Sequence, residues 1–118
     1  MGLNIRDHRY LIGWYGETIC FVASDGDIFV GGVVIEIIYG QLRVEYLFVE
    51  EAYRHQHIGS ELLTKALRFG KEKSCGFAFL ETLNFQAPEF YEKHGFVLQF
   101  SLPGFQNGIV FHYYMKDL

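Results

Sequence analysis

The chain has 118 residues, half of them hydrophobic, 18% aromatic and 20% charged, a composition that supports a packed core and excludes a disordered or fibrous chain. Ten basic against fourteen acidic side chains leave a formal charge of -4, so there is no electrostatic footprint for a polyanion and nucleic acid is set aside as a partner. Cys20 and Cys75 are the only cysteines, too few for a disulfide framework or a zinc motif, and no run approaches the ~20 apolar residues of a membrane span.

Residues 1–118 read as one domain, without repeat or linker. Thr18 to Ser24 alternates weakly and runs into Asp25-Gly26-Asp27, a turn signal, before the apolar run Ile28 to Tyr39; the pair reads as a β-hairpin. Gly31 and Gly32 inside the second run predict a bulge or a close backbone approach. Gly40 closes that run and Leu42 to Val49 forms the next strand. From His57 the period changes: Ile58, Leu62 and Ala66 recur every four residues and Leu63 and Leu67 widen the same face, predicting an amphipathic helix that ends between Gly70 and Gly76. Phe77 to Leu83 is too short for a helix and reads as a buried strand, parallel to the one before the helix. Pro88 suits the first turn of a short helix reaching Lys93, His94-Gly95 ends it, and Ile109 to Lys116 alternates as a final strand. The predicted order is β-β-β-α-β-α-β, an α/β (α+β) mixed sheet around a parallel βαβ unit.

The segment from Val49 to Ser60 joins a strand end to a helix start. The first N–H groups of a helix lack intrahelical partners and sit at the positive end of its dipole, a ready site for phosphate. Arg54 adds a charge-assisted contact.

Arg54-x-x-His57-x-Gly59 ahead of an amphipathic helix resembles the acetyl-CoA-binding motif of the GNAT N-acetyltransferase superfamily, which reads Arg or Gln, two residues, Gly, one residue, Gly or Ala. A later stretch, Asn84-x-x-Ala87-x-x-x-Tyr91-Glu92-Lys93-x-Gly95-Phe96, resembles the second signature of that family, so the likeness runs from about Asp25 to the C-terminus. It implies a GNAT-type mixed, mostly antiparallel twisted sheet with a central parallel βαβ unit. The helical segment that usually follows the first GNAT strand is reduced here, which leaves the acceptor side open or completed by a second subunit.

The resemblance implies acetyl-CoA as acetyl donor, its pyrophosphate held by backbone N–H groups of Arg54, His55, Gln56, His57, Ile58, Gly59 and Ser60. It places the pantetheine arm against the backbone of Phe48 and Val49, with an N–H aimed at the thioester oxygen; such a donor contributes on the order of 3 kcal/mol to an acyl transfer. Asn84 is implied as a further cofactor contact and Tyr91 as the acid that protonates the departing thiolate. His57 stands where the family has glycine, so its imidazole must point away or touch the ligand.

An alkyl amine with a pKa of ~10 arrives protonated, so the reaction asks for a base. Glu45, four residues before Val49 and on the same strand face by period-2 alternation, is the candidate, with Glu36 as rival. Both glutamates also fit an exposed sheet face, and Tyr91 also fits a core position. His55 and His57 lack a third ligand at metal spacing, so no metal is expected. Trp14, Tyr15, Tyr39, Tyr46, Tyr113 and Tyr114 fit sheet packing, a subunit interface or an acceptor pocket for a cationic amine. An unpaired final strand predicts a homodimer.

The expected function is acetyl transfer to a primary amine, on a small molecule or a peptide, by direct attack in a ternary complex. Cys20 and Cys75 lie off the motifs, against a covalent acetyl-enzyme. The alternatives are a non-catalytic acyl-CoA-binding or regulatory module of the same fold and a homodimeric interaction domain without a nucleotide ligand. The reduced cysteines and the absence of a leader pattern predict a cytoplasmic location.

Overall fold

The apolar alternation of the first half closes into an antiparallel meander in the computed structural model, which describes residues 3–12 and 16–118. Four strands, β1 (Leu3–Ile12), β2 (Gly16–Asp25), β3 (Ile28–Ile38) and β4 (Gln41–Val49), each pair with the next. The helix α1 (Ile58–Glu72) crosses over to β5 (Phe77–Leu83), which lies parallel to β4 as expected from the short apolar run. A short helix α2 (Glu89–Lys93) leads to β6 (Val97–Leu102) and β7 (Phe111–Asp117). The seven strands form one sheet in the order β1-β2-β3-β4-β5-β7-β6, and β4–β5 is its parallel pair. This is the mixed, mostly antiparallel architecture that was expected.

One face of the sheet carries the core. Ile19 and Phe21 of β2, Val33 and Ile35 of β3 and Leu42 and Val44 of β4 meet Ile58, Leu62, Leu63 and Ala66 of α1, all buried. Truncating one of the buried leucines or isoleucines among them to alanine removes about 2–5 kcal/mol. Gly70 sits on the same helix face, against the Leu42 side chain. Phe90 and Tyr91 bring α2 onto the core beside the start of α1.

Two strands exceed the predicted order. β1 is an edge strand whose Leu3 and Ile5 are half-buried against the core between exposed Asn4, Arg6 and Asp7, and every residue of β6 is exposed, so neither presents the fully buried stripe on which a pattern reading depends. The second addition also corrects the dimer argument. β7 is an interior strand, hydrogen-bonded to β5 on one side and β6 on the other, so the final strand has no edge to offer a second chain. Of the aromatics, Tyr114 is in the core and Tyr46 is exposed, while Trp14 and Tyr15 lie outside the described residues.

The glycine pair in β3 does what its position suggests. The register slips between Ala23 and Ser24 of β2 opposite Val30, and a Cβ on Gly31 would collide with the Phe48 carbonyl. The chain end of β4 can approach β3 that closely only without a side chain there.

Candidate active site

β4 and β5 stay paired for three positions, Leu42↔Ala78, Arg43↔Phe79 and Val44↔Leu80. Beyond them β5 follows β7 while β4 follows β3 to Val49, so the two strands part. The gap is a cleft of about 570 Å³ lined by Val44, Glu45 and Leu47 on one side, Glu81 and Leu83 on the other, and Tyr91. Along it one edge of β4 has no strand partner, and its backbone polar groups can take an extended, amide-bearing ligand as an added strand would be taken.

Glu45 owes its place to a bulge. Val34 pairs with Tyr46 and Ile35 with Val44, leaving Glu45 as the extra residue. The extra residue breaks the alternation assumed from sequence. Val49 packs on the core with α1, whereas Glu45 lies with Arg43 and Glu36 on the other face. Arg43 Nε sits 3.2 Å from Glu45 Oε1. Glu36 is hydrogen-bonded to Glu45, and that bond, with burial and the Glu45 charge, raises its carboxyl above the usual range.

Tyr91 reaches the cleft from α2 with its ring wedged edge-on between Phe90 and Phe96, at centroid separations of 5.2 and 5.9 Å. Burial pushes its hydroxyl above the ordinary tyrosine value, so it holds its proton at neutral pH. The helix is anchored from below: the Tyr114 hydroxyl donates to Glu92 Oε2 at 2.7 Å, and Tyr114, pushed up to about 12 by burial and that bond, stays neutral.

The loop between β4 and α1 is moored at three points. Glu50 N–H donates to the Val30 carbonyl at 2.7 Å, the Tyr53 hydroxyl donates to Asp25 Oδ2 at 3.1 Å, and Arg54 Nε donates to the Val49 carbonyl at 3.1 Å. His55 and His57 both adopt the left-handed region, with φ of 66° and 63°. That conformation explains why a glycine suits the position of His57, and the imidazole, which is exposed, turns outward. No side chain caps α1, and its first backbone bond runs from Glu61 N–H to the His57 carbonyl, so the N–H groups of Ile58, Gly59 and Ser60 precede the helical ladder. Ile58 roots this end of the helix with a side chain 1% exposed. A Cβ on Gly59 would meet Phe90 and Val49 at 3.6–3.7 Å, ordinary contact, so packing inside the chain does not demand glycine there. Ser60 Oγ and His94 Nε2, 3.0 Å apart, tie the start of α1 to the end of α2.

The structure thus gathers Glu45 and Tyr91 into one cleft, with residues 54–60 at the helix start next to Val49. Other residues have a different setting. Phe48 is exposed and stacks on Phe29 at 6.4 Å. His55 and Gln56 are exposed loop residues. Asn84 donates from Nδ2 to the Gly108 carbonyl and accepts from Val110 N–H, clamping the approach to β7; its amide has a second N–H to offer a ligand. Sequence reasoning missed Glu81, whose signal was a carboxylate inside the apolar run Phe77–Leu83, and Arg43, whose partner became visible only with the bulge.

The model of the acetyltransferase (GNAT) family matches residues 2–96. The chain belongs to the GNAT family. This GNAT chain is 36% identical over 89 residues to blasticidin-S acetyltransferase of Streptomyces morookaense, a match covering 75% of this chain and 65% of that protein. It is 32% identical over 102 residues to human N-alpha-acetyltransferase 30, covering 80% of this chain and 28% of the other. An acetyltransferase structure from Bacillus cereus superposes with a TM-score of 0.77 at 28% identity, covering 97% of this chain and 74% of that one. A Bacillus anthracis structure containing acetyl coenzyme A shares the fold with a TM-score of 0.79 at 24% identity, covering 92% and 66%. The matches span 65% and 64% of the first two curated relatives, just under two thirds of their length.

Proposed function

We propose that this GNAT-family protein transfers an acetyl group from acetyl-CoA to a primary amine by direct attack in a ternary complex. The observation that carries the reading is the shared cleft: Glu45 and Tyr91 line one opening where β4 and β5 part, beside an uncapped helix start. The residues present suit the donor. Ile58, Gly59 and Ser60 offer N–H groups to a pyrophosphate, Gly59 leaves room for its approach, and the unpaired edge of β4 matches the amides of a pantetheine arm.

Within that arrangement Glu45 takes the ammonium proton, held in register by Arg43 and by the hydrogen bond with Glu36. The backbone at Phe48 and Val49 offers an N–H to the developing oxyanion. Tyr91 returns a proton to the leaving sulfur, a role that its raised hydroxyl pKa suits by keeping it protonated beforehand. Cys75 is buried and its thiol is pushed up by burial, which disfavours a thiolate relay. One relative bears the name of the antibiotic blasticidin-S and another is an N-alpha-acetyltransferase, so small-molecule and peptide amines both fall in range.

Calorimetry with acetyl-CoA, run beside a thiol-release assay over a panel of amines, tests the reading. Saturable heat and amine-dependent thiol release are expected. Heat without release assigns the protein to the non-catalytic acyl-CoA module, and neither signal removes the donor site.

A further inference from the structure

The face of the sheet away from α1 carries a charge imbalance that proton transfer does not use. Glu36, Arg43 and Glu45 cluster there, and Glu81 stands across the cleft with the Tyr113 hydroxyl hydrogen-bonded to it. Glu36 and Glu45 are hydrogen-bonded, one carboxyl of the pair carrying the proton, and Arg43 is engaged with Glu45. One negative charge, that of Glu81, is left in excess around an opening that, on the reading above, admits an amine. Glu81 is exposed and its strand is otherwise apolar on this side, with Phe77 and Phe79 as its neighbours on the same face.

One further observation points to a ligand here. Tyr46, on the cleft wall, is 69% exposed and presents an aromatic face of the kind that attracts cations.

We propose that the acceptor carries at least two cationic centres, a diamine or a longer polyamine-like molecule, with the reacting nitrogen at Glu45 and a second ammonium at Glu81. The inference rests on the acetyl-transfer reading and adds the substrate class. The reacting nitrogen gives its proton to Glu45 and attacks as the neutral amine. The distal ammonium keeps its charge and answers Glu81, while the Arg43 guanidinium is held 3.2 Å from Glu45. A single-charge acceptor of the same length leaves Glu81 with the Tyr113 hydroxyl but no cation, and loses a charge-assisted hydrogen bond.

The test uses three linear probes of equal length: cadaverine, aminopentanol and aminopentanoate. Each presents the same reacting amine, with an ammonium, a hydroxyl or a carboxylate at the far end. For the wild-type chain, kcat/KM is expected to fall by about tenfold or more from cadaverine to aminopentanol, and further to aminopentanoate. Glu81→Gln should erase most of the first difference by lowering only the cadaverine value, and Glu81→Lys should turn the preference toward aminopentanoate. The Kd of acetyl-CoA, measured by calorimetry on each variant, should stay within about twofold and so reports folding and donor binding independently of the acceptor. Equal kcat/KM for the three probes, or a cadaverine preference that survives Glu81→Lys, overturns the inference while leaving acetyl transfer standing. Acetyl-CoA binding with no turnover of any probe overturns the inference, and the wider amine panel then decides acetyl transfer separately.

Discussion

Glu45 and Glu81 stand on opposite walls of the cleft, each the first residue after the last paired position, Val44↔Leu80, on its strand. The symmetry of place hides a difference of setting: Glu45 is hydrogen-bonded to Glu36 and paired with Arg43, while Glu81 is exposed beside Tyr113. Glu45→Gln keeps shape and hydrogen-bonding capacity but takes no proton. It is expected to lower kcat by on the order of a hundredfold with acetyl-CoA binding unchanged. Steady-state kinetics with calorimetry decide this, and an unaltered kcat would assign proton removal to water or to Glu36.

Tyr91→Phe preserves the ring that packs on Phe90 and Phe96 and deletes the hydroxyl in the cleft. Thermal stability should hold, acetyl-CoA Kd should hold, and single-turnover acetyl transfer should slow by about a hundredfold. A rate equal to wild type places the thiolate's proton elsewhere.

Gly59→Ala separates folding from binding. Among the described residues packed on this turn, the nearest to the added methyl is Phe90 at 3.6 Å, and alanine is the better helix former. The melting temperature is expected to stay level or rise while acetyl-CoA affinity drops by at least about tenfold, the equivalent of about 1.4 kcal/mol. Affinity that survives the methyl group would show that phosphates do not approach the helix start.

Gly31→Ala reverses that pattern. Its methyl would run into the Phe48 carbonyl, which is backbone and cannot swing aside. A loss of about 1–3 kcal/mol, read as a lowered denaturant midpoint, is expected. The same substitution at Gly31 should also weaken the end of β4 as a ligand edge.

The bond between Glu36 and Glu45 has a pH signature. A carboxyl raised in the folded state binds its proton more tightly there than in the unfolded chain. Its contribution to stability is therefore full below the ordinary carboxylate value of 4.5 and is lost as pH rises through the raised value. Chemical denaturation across that interval should show stability declining with pH, and Glu36→Gln should flatten this part of the curve. An identical slope in the variant would mean that the two side chains do not share a proton.

Much of this architecture is legible in the residues. β2, β3, β4, α1 and β5 each have a buried face, and alternation or a four-residue recurrence marks it. β6 escaped because an edge strand with every residue exposed has no stripe to read, and β1 because its Leu3 and Ile5 are only half-buried. At the candidate site, motif order pointed to the loop from Arg54 to Ser60 and to Tyr91, and the structure places the first at the start of α1 and the second on the cleft wall. Glu45 was picked for a reason that the structure removes: the bulge shifts the phase of β4, and local alternation carries no information about an unpaired residue. Glu81 acquires meaning only when β4 and β5 part, a long-range event that no window along the chain reports.

The three moorings of residues 50–54, to Val30, Asp25 and Val49, carry a kinetic implication. On the proposed reading, a nucleotide thioester arriving at this loop meets amides already aimed, so the disorder forfeited in shaping them was surrendered during folding and not at the encounter. Association should then run at the pace set by orientation alone, and variation in affinity among loop substitutions should surface chiefly as a change in how long the complex lasts.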